Sequence, residues 1–364
     1  MKHVSFCALG AFVAFGSGNL FATPVSHMHA NGITANNIAV MQHSIMLDAF
    51  NNFDGSVTQI IGEYTEPLQK PAPEEPAKPQ QIDRYGEMLF YGEYGDDGTV
   101  FLSGRNGGDS SDTTDSVWID WQHAQDYAKF DGFKRVNSHY DLISLGFADE
   151  PLDKKANTFY NVGGFGGFVT AREDAHSVKL SETGEYAGVY YAYYTHGLML
   201  QTAANFGVLF NDAKSEYGKH DFTNMWAGGA LNATYNLYLD EISVLQPGIY
   251  AGYTWIHTDG YEPQPSVASD NFHLFEVSPS LRVMTSLVKG WYNSMSVRYV
   301  FNFANGGETR NAGVALPELE LLNYFEYGFT TEKNIDRFNF SASINRRDGG
   351  RTGWLFNVHM KYMF

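Results

Sequence analysis

Ser343 and His359 are the residue types of a hydrolase, a hydroxyl nucleophile with an imidazole able to take its proton. They lie in two consecutive segments near the end of the chain, FNFSASIN and WLFNVHMKYMF, so neighbouring strands must bring them together. Neither sits in a recognisable nucleophile motif, and a structural hydrogen-bonding role is the better reading of both. His27-Met28-His29 offers a metal two imidazoles without help from a carboxylate or thiolate. Asp109, Asp112 and Asp115 in DSSDTTD have a calcium-like spacing but lack the glycine and terminal glutamate of an EF-hand loop, so a solvated linker is expected there. Residue chemistry therefore leads us to expect no catalytic, cofactor or metal site, and no enzyme.

Composition narrows the classes further. The 364 residues carry 24 Lys plus Arg against 41 Asp plus Glu, a formal charge of −17. That balance argues against nucleic acid as a partner, because phosphate binding needs a concentrated basic surface. No apolar run reaches the ~18 residues of a membrane-spanning helix. Aromatics make up 15%, too many for a disordered chain. Glycine is plentiful (37) and proline sparse (12), which suits many strands with tight turns.

The N-terminus reads as an address. Lys2 is followed by an apolar stretch from Val4 to Phe15, small residues, and Ala22, the pattern of a secretory signal cleaved between Ala22 and Thr23. Cys7, the single cysteine, would leave with it. Beyond it, Ile38, Met41, Ile45, Met46 and Phe50 fall roughly at helical spacing, predicting a short helix over about 36–52 with Thr34 as a cap. Residues 66–80 form a proline-rich linker. Residues 85–104 read as one hairpin around GDDG, followed by an acidic linker to 115.

From 116 to 364 the dominant signal is alternation with period two. In SMSVRYVFNF, Met295, Val297, Tyr299, Phe301 and Phe303 oppose Ser294, Ser296, Arg298 and Asn302; FNFSASIN and WLFNVHMKYMF repeat the pattern. A soluble sandwich exposes a face rich in Lys and Glu, whereas here the polar face is mostly Asn, Ser, Thr and Gly, with aromatics bracketing the apolar face. This predicts an all-β, antiparallel up-and-down barrel that meets lipid on its outside and lines a polar lumen. Arg298, Asn302, Asn339, Ser341, Ser343, Asn345 and Asn357 are the expected lumen-lining residues. Twelve strands are expected, starting near Val117, Tyr140, Tyr160, Tyr186, Leu198, Met225, Val244, Phe272, Trp291, Tyr324, Phe338 and Thr352. If the 85–104 hairpin joins the wall, the number becomes fourteen. Short connections after strands four, six, eight and ten, against long polar ones after five, seven and nine, place the C-terminus on the periplasmic side. ADEPLDKKANT after strand two reads as an exception.

The C-terminal portion resembles the barrel domain of autotransporters, the type V secretion proteins. The matching stretches are YNVGGFGGFVTAR, GEYAGVYYAYYTHGLMLQ and VLQPGIYAGYTW, with a terminal strand ending on Tyr362 and Phe364. The resemblance implies the outer membrane of a Gram-negative bacterium, with export by the secretion translocase. It also implies Tyr362 and Phe364 as a C-terminal signal read by the barrel-assembly machinery, and a segment threaded through the lumen. Asn36-Asn37 and Asn51-Asn52 resemble the Asn-Asn bond cut inside some autotransporter barrels, where a lumenal carboxylate activates asparagine, but chance pairs in an Asn-rich chain are the better reading. Family members usually carry hundreds of passenger residues, whereas about ninety lie between this signal and barrel. The expectation is a monomeric translocator displaying a short N-terminal segment, with outer-membrane lipid as a partner and no cofactor. A small porin-like channel is the alternative, and an outer-membrane hydrolase a third reading.

Overall fold

The computed structural model describes residues 22–63, 92–94, 100–102, 113–130, 135–153, 158–175, 178–195, 197–215, 218–239, 242–262, 267–288, 290–311, 314–315, 321–335 and 337–364, with helix side chains from 30 to 51. One helix, α1 (Ala22–Glu63), precedes a closed wall of twelve strands. These are β1 (Thr113–Ala128), β2 (Val136–Asp153), β3 (Thr158–Ala175), β4 (Val178–Thr195), β5 (Leu198–Ser215) and β6 (Gly218–Tyr235). They continue as β7 (Ser243–Glu262), β8 (Phe272–Val288), β9 (Trp291–Gly306), β10 (Tyr324–Ile335), β11 (Phe338–Gly349) and β12 (Arg351–Met363). Each strand pairs antiparallel with the next in sequence, and β12 returns to β1, with Arg351 opposite Ala128 and Met363 opposite Ser116. Each of the twelve expected start positions falls within a successive strand of the ring.

The hairpin Gly92–Tyr94 with Val100–Leu102 pairs only with itself, so it adds nothing to the wall and the fourteen-strand alternative is excluded. A two-residue strand, Leu237–Tyr238, folds onto β7 outside the ring.

Alternation along the strands sorts side chains between two solvents. Large apolar residues point outward and stand exposed, among them Phe147 at 64%, Phe206 at 66% and Met295 at 68%. Water would penalise such a surface, and a lipid band accommodates it. Tyr160, Tyr235, Trp291 and Tyr362 mark one edge of the band, which carries the chain end and is called the lower rim below. Tyr127, Trp255, Tyr327 and Trp354 mark the other, upper edge. Closure satisfies the backbone of every wall strand without an exposed edge, which lipid requires.

Two connections differ from the sequence reading. ADEPLDKKANT and NDAKSEYGKHD are largely strand: β2 runs to Asp153 and β3 starts at Thr158, while β5 reaches Ser215 and β6 starts at Gly218. Strands of 18 residues extend ~60 Å, well past the 9 to 11 residues that span lipid, so hairpins continue into water with polar sequences that resemble loops. The β7–β8 and β9–β10 connections remain long and form their own small sheet, Val267–Ser269, Thr309–Asn311 and Val314–Ala315, above the upper rim.

The helix is longer than its periodicity indicated. It covers Ala22–Glu63 where the apolar spacing suggested about 36–52, and Thr34, expected as a cap, lies inside it. Polar residues on every side obscured the pattern, and the wall gives those residues partners. Residues 1–21 of the expected signal peptide, the proline-rich linker, Asp109 and Asp112 lie outside the described residues, and Ala22 opens α1.

Candidate functional site

The lumen holds the helix. From Ala30 to Phe50 every side chain is buried except the partly buried Gly32 and Leu47, although Asn31, Thr34, Asn36, Asn37, Gln42, His43, Ser44 and Asp48 are polar. A helix with side chains is ~10–12 Å wide, and a twelve-stranded wall lies between the filled eight-stranded and open sixteen-stranded cases. Ile33, Ile38, Met41, Ile45 and Met46 pack against inward wall residues such as Tyr140, Leu142, Val169 and Leu209.

The polar contacts run down the helix in order. At the upper rim Asn31 Oδ1 accepts from Thr258 Oγ1 at 2.5 Å, and Asn31 Nδ2 donates to Ser269 and to Thr309 Oγ1, so the loop sheet clasps the helix. Beside that clasp Arg310 donates to Glu308 Oε1 at 2.6 Å and holds the Glu308 carboxyl below the usual carboxylate range. Thr34 donates to Glu182 Oε1 at 3.0 Å. Gln42 and Asn205 exchange carboxamide bonds at 2.6 and 2.9 Å, and Trp226 Nε1 donates to Gln42 Oε1 at 3.1 Å. His43 pairs with Glu276 and packs edge-on against Tyr250, with centroids 4.8 Å apart. Midway down the wall Gln122 Nε2 and Asn357 Nδ2 both donate to Asp48 Oδ1 at 3.2 Å, and near the lower rim Gln201 Nε2 donates to the Phe50 carbonyl at 2.9 Å.

Two buried arginines tie the helix to the barrel seam. Arg347 donates to Glu326 Oε2 (2.8 Å), Asp126 Oδ2 (3.1 Å), Tyr140 Oη (3.1 Å) and Ser44 Oγ (3.3 Å). Arg351 forks onto both oxygens of Asp126 at 2.7 and 3.1 Å and donates to Asn37 Oδ1 at 3.3 Å. Low dielectric makes isolated charges costly, so each guanidinium is ringed by acceptors.

The sequence-selected residues fall as follows. Arg298 reaches from the wall to His43 Nε2 (3.5 Å) and Glu326 Oε1 (3.7 Å). Ser343, Asn345 and Asn357 line, with Arg298, Asp48 and Gln122, a polar cavity of about 140 Å³ beside the helix. Asn357 also donates to both Asp120 oxygens, at 2.8 and 2.9 Å. Ser341 stands opposite His359 in the β11–β12 register, and Asn339 donates to Glu332 and Asn334 at 2.5 and 2.6 Å. Asn302 sits at the upper rim and donates to Asn323 and the Leu322 carbonyl. Tyr362 packs between Phe338, tilted at 49°, and Phe364, edge-on at 86°, at the lower rim.

Ser343 and His359 are not joined. Ser343 lies opposite Asn357, while His359 lies opposite Ser341 and turns its Nδ1 to Asp120 at 3.3 Å. Of the two asparagine pairs, Asn51 lines the cavity and is exposed, whereas Asn36 and Asn37 are buried in the upper part of the lumen. Asn36 Nδ2 is taken by the Gly32 carbonyl at 2.7 Å; Asn37 Nδ2 instead reaches Glu182 Oε2 at 3.4 Å, with Asn37 Oδ1 accepting from Ser138 and Arg351. Among the described residues no group of three or more His, Asp or Glu is arranged to hold a metal.

No protein-family model matches the sequence, and no curated protein matches it. Solved structures do match the fold. The translocator domain of the autotransporter NalP from Neisseria meningitidis superposes with a TM-score of 0.58 at 11% identity, covering 70% of this chain and 90% of that one. The β domain of the Bordetella autotransporter BrkA gives 0.56 at 15%, covering 68% and 98%. The transport unit of AIDA-I from Escherichia coli gives 0.52 at 15%, covering 72% and 94%. At these identities the likeness shows the fold alone: this chain shares its barrel fold with these autotransporter domains.

Proposed function

We propose that the chain is an outer-membrane translocator of the autotransporter type that keeps its own N-terminal segment threaded through the barrel. The observation that carries this reading is the direction and fit of α1: Asn31 is clasped at the upper rim, Phe50 is held at the lower rim, and between them Thr34, Asn37, Gln42, His43, Ser44 and Asp48 all meet the wall. The upper rim then faces outside and the C-terminus faces the periplasm. Tyr362 and Phe364 serve the barrel-assembly machinery, the secretion translocase exports the chain, its signal is cleaved between Ala22 and Thr23, and the barrel works as a monomer.

Planar-bilayer conductance tests the plug. The intact chain is expected to conduct poorly, and a chain lacking residues 23–84 to conduct strongly, once its resistance to unfolding in an unheated gel shows a formed barrel. High conductance of the intact chain would favour the channel reading instead. An epitope between Thr23 and Pro24, probed on intact cells, is expected at the surface; detection only in the periplasm would contradict the threading direction. Ser343→Ala and His359→Ala are expected to leave lipid and peptide turnover at background.

A second reading rests on Asn37. If Glu182 takes a proton from Asn37 Nδ2, that nitrogen can attack the Asn37 carbonyl carbon, closing a succinimide. The bond to Ile38 breaks and the proton ends on the Ile38 amine. Intact mass and N-terminal sequencing would reveal a chain starting at Ile38, abolished in Glu182→Gln. An uncut chain from the outer membrane would leave α1 as a permanent plug.

A further inference from the structure

On the outside of the wall, at the upper rim, outward positions of β2, β3 and β11 and the segment leading out of β1 and into β2 carry Lys129, Arg135, His139, Arg172 and Arg346. The register sets them side by side. Arg346 lies opposite Trp354, Trp354 opposite Gln125, Gln125 opposite His139, and His139 opposite Arg172. One row thus crosses five neighbouring strands at about 4.8 Å per step. Just above it, Arg135 and Lys129 sit over the Tyr127 ring, 3.2 and 5.9 Å from its centre, and Arg346 lies 5.1 Å from Trp354.

The carboxylates next to the row are already answered, and the exposed Glu185 lies lower, opposite Phe168. Asp141 meets His123 at 2.9 Å, Asp348 accepts from Tyr327 at 2.8 Å and Arg346 at 3.3 Å, and Asp174 lies 3.7 Å from Lys179. Among the described residues, Lys129, Arg135, His139 and Arg172 have no carboxylate within ion-pair distance. Further round the rim the pattern differs, since Lys219 stands between Asp212 (2.8 Å) and Asp221 (3.7 Å). A chain of net charge −17 therefore gathers positive charge with no ion-paired carboxylate on one flank, and one outward row, His123, Asp141 and Thr170, separates it from the lipid-facing Trp121, Ile143 and Phe168 below.

We propose that this flank binds the phosphate groups of a phosphorylated lipid in the leaflet at the upper rim. Acyl chains would lie on the apolar residues below, the rings of Tyr127 and Trp354 would mark the headgroup level, and Arg135, His139 and Arg172 would meet the phosphates. The inference rests on the membrane reading given above.

The test places the full refolded chain in phosphatidylcholine vesicles doped with bisphosphorylated lipid A or with the same glycolipid stripped of phosphate, and reads retained lipid by native mass spectrometry. The wild type is expected to retain the phosphorylated form selectively. At about fivefold per basic residue, Arg135→Gln with Arg172→Gln should cut that retention about 30-fold. Lys219→Gln, which removes a charge already answered, should leave it unchanged. Equal retention of the two glycolipids, or a doubly substituted barrel that inserts normally and retains lipid as before, overturns the proposal. A chain that enters no vesicle overturns the membrane reading as well.

Discussion

Gln42 of the helix and Asn205 of the wall exchange two hydrogen bonds, 2.6 and 2.9 Å long, so each carboxamide satisfies the other deep inside the barrel. Room for the pair comes from Gly228, where a Cβ would lie 2.2 Å from Gln42 Nε2. Gln42→Leu strands the Asn205 amide and Trp226 Nε1, at about 1–3 kcal/mol for each orphaned group. The expected result is a lower denaturant midpoint for the refolded barrel. Gly228→Val, which keeps the pair but takes its space, should loosen the helix and raise single-channel conductance.

Arg347 predicts a different response. Its guanidinium serves Glu326, Asp126, Tyr140 and Ser44 at once, from a position only 1% exposed. Arg347→Met leaves Glu326 with Arg298 alone at 3.7 Å and should cost about 3–5 kcal/mol. Arg347→Met combined with Glu326→Leu removes both charges and should recover most of the loss. Arg347→Lys should not rescue, because one ammonium cannot reproduce a planar fork with separate acceptors. The temperature at which the barrel loses its unheated gel mobility ranks the three variants.

Much of this wall was legible in the sequence because period-two alternation is local. Met295, Val297 and Phe303 could be placed outside, and Ser294 and Ser296 opposite them, without knowing any neighbour. The lumen was less legible. Arg347, Glu326 and Asp126 share parity with the polar face of their strands, but Glu326 meets Arg347 only in the β10–β11 register, and Asp126, 221 residues from Arg347, reaches it only when β12 closes on β1. The helix hid for a related reason: Gln42, His43 and Asp48 look solvent-facing in isolation, and they are buried because the wall supplies Asn205, Glu276 and Gln122. An uncharged-polar strand face together with a helix polar on all sides was the available signal that the two belong together.

The upper clasp can be locked covalently. Asn31 touches Thr258, and Cys7 is the only cysteine of the whole chain, so Asn31→Cys with Thr258→Cys in a chain starting at Thr23 gives one defined cross-link. If helix motion gates the lumen, joining these residues by oxidation or a short bis-maleimide should abolish conductance flicker, and reduction of the oxidised form should restore it. Flicker that persists when cross-linked would place the leak in the cavity lined by Ser343 and Asn345.

The last residue closes the seam as well as ending the chain. Phe364 N donates to the Asp115 carbonyl at 2.9 Å, Met363 N donates to the Arg337 carbonyl at 2.9 Å, and Tyr362 lies 4.8 Å from Phe338 and 5.1 Å from Phe364 between ring centres. Removing Phe364 therefore deletes one seam hydrogen bond, worth about 1 kcal/mol, and one ring of the lower girdle. A loss of that size should barely change refolding into detergent. If Tyr362 and Phe364 are also read by the assembly machinery, the same deletion should sharply lower the folded barrel recovered from outer membranes, and Phe364→Trp should restore it. Equal losses in detergent and in cells would make the terminal aromatics a packing element alone. A loss confined to cells would separate recognition from stability, because only recognition depends on a partner that the refolding reaction does not contain.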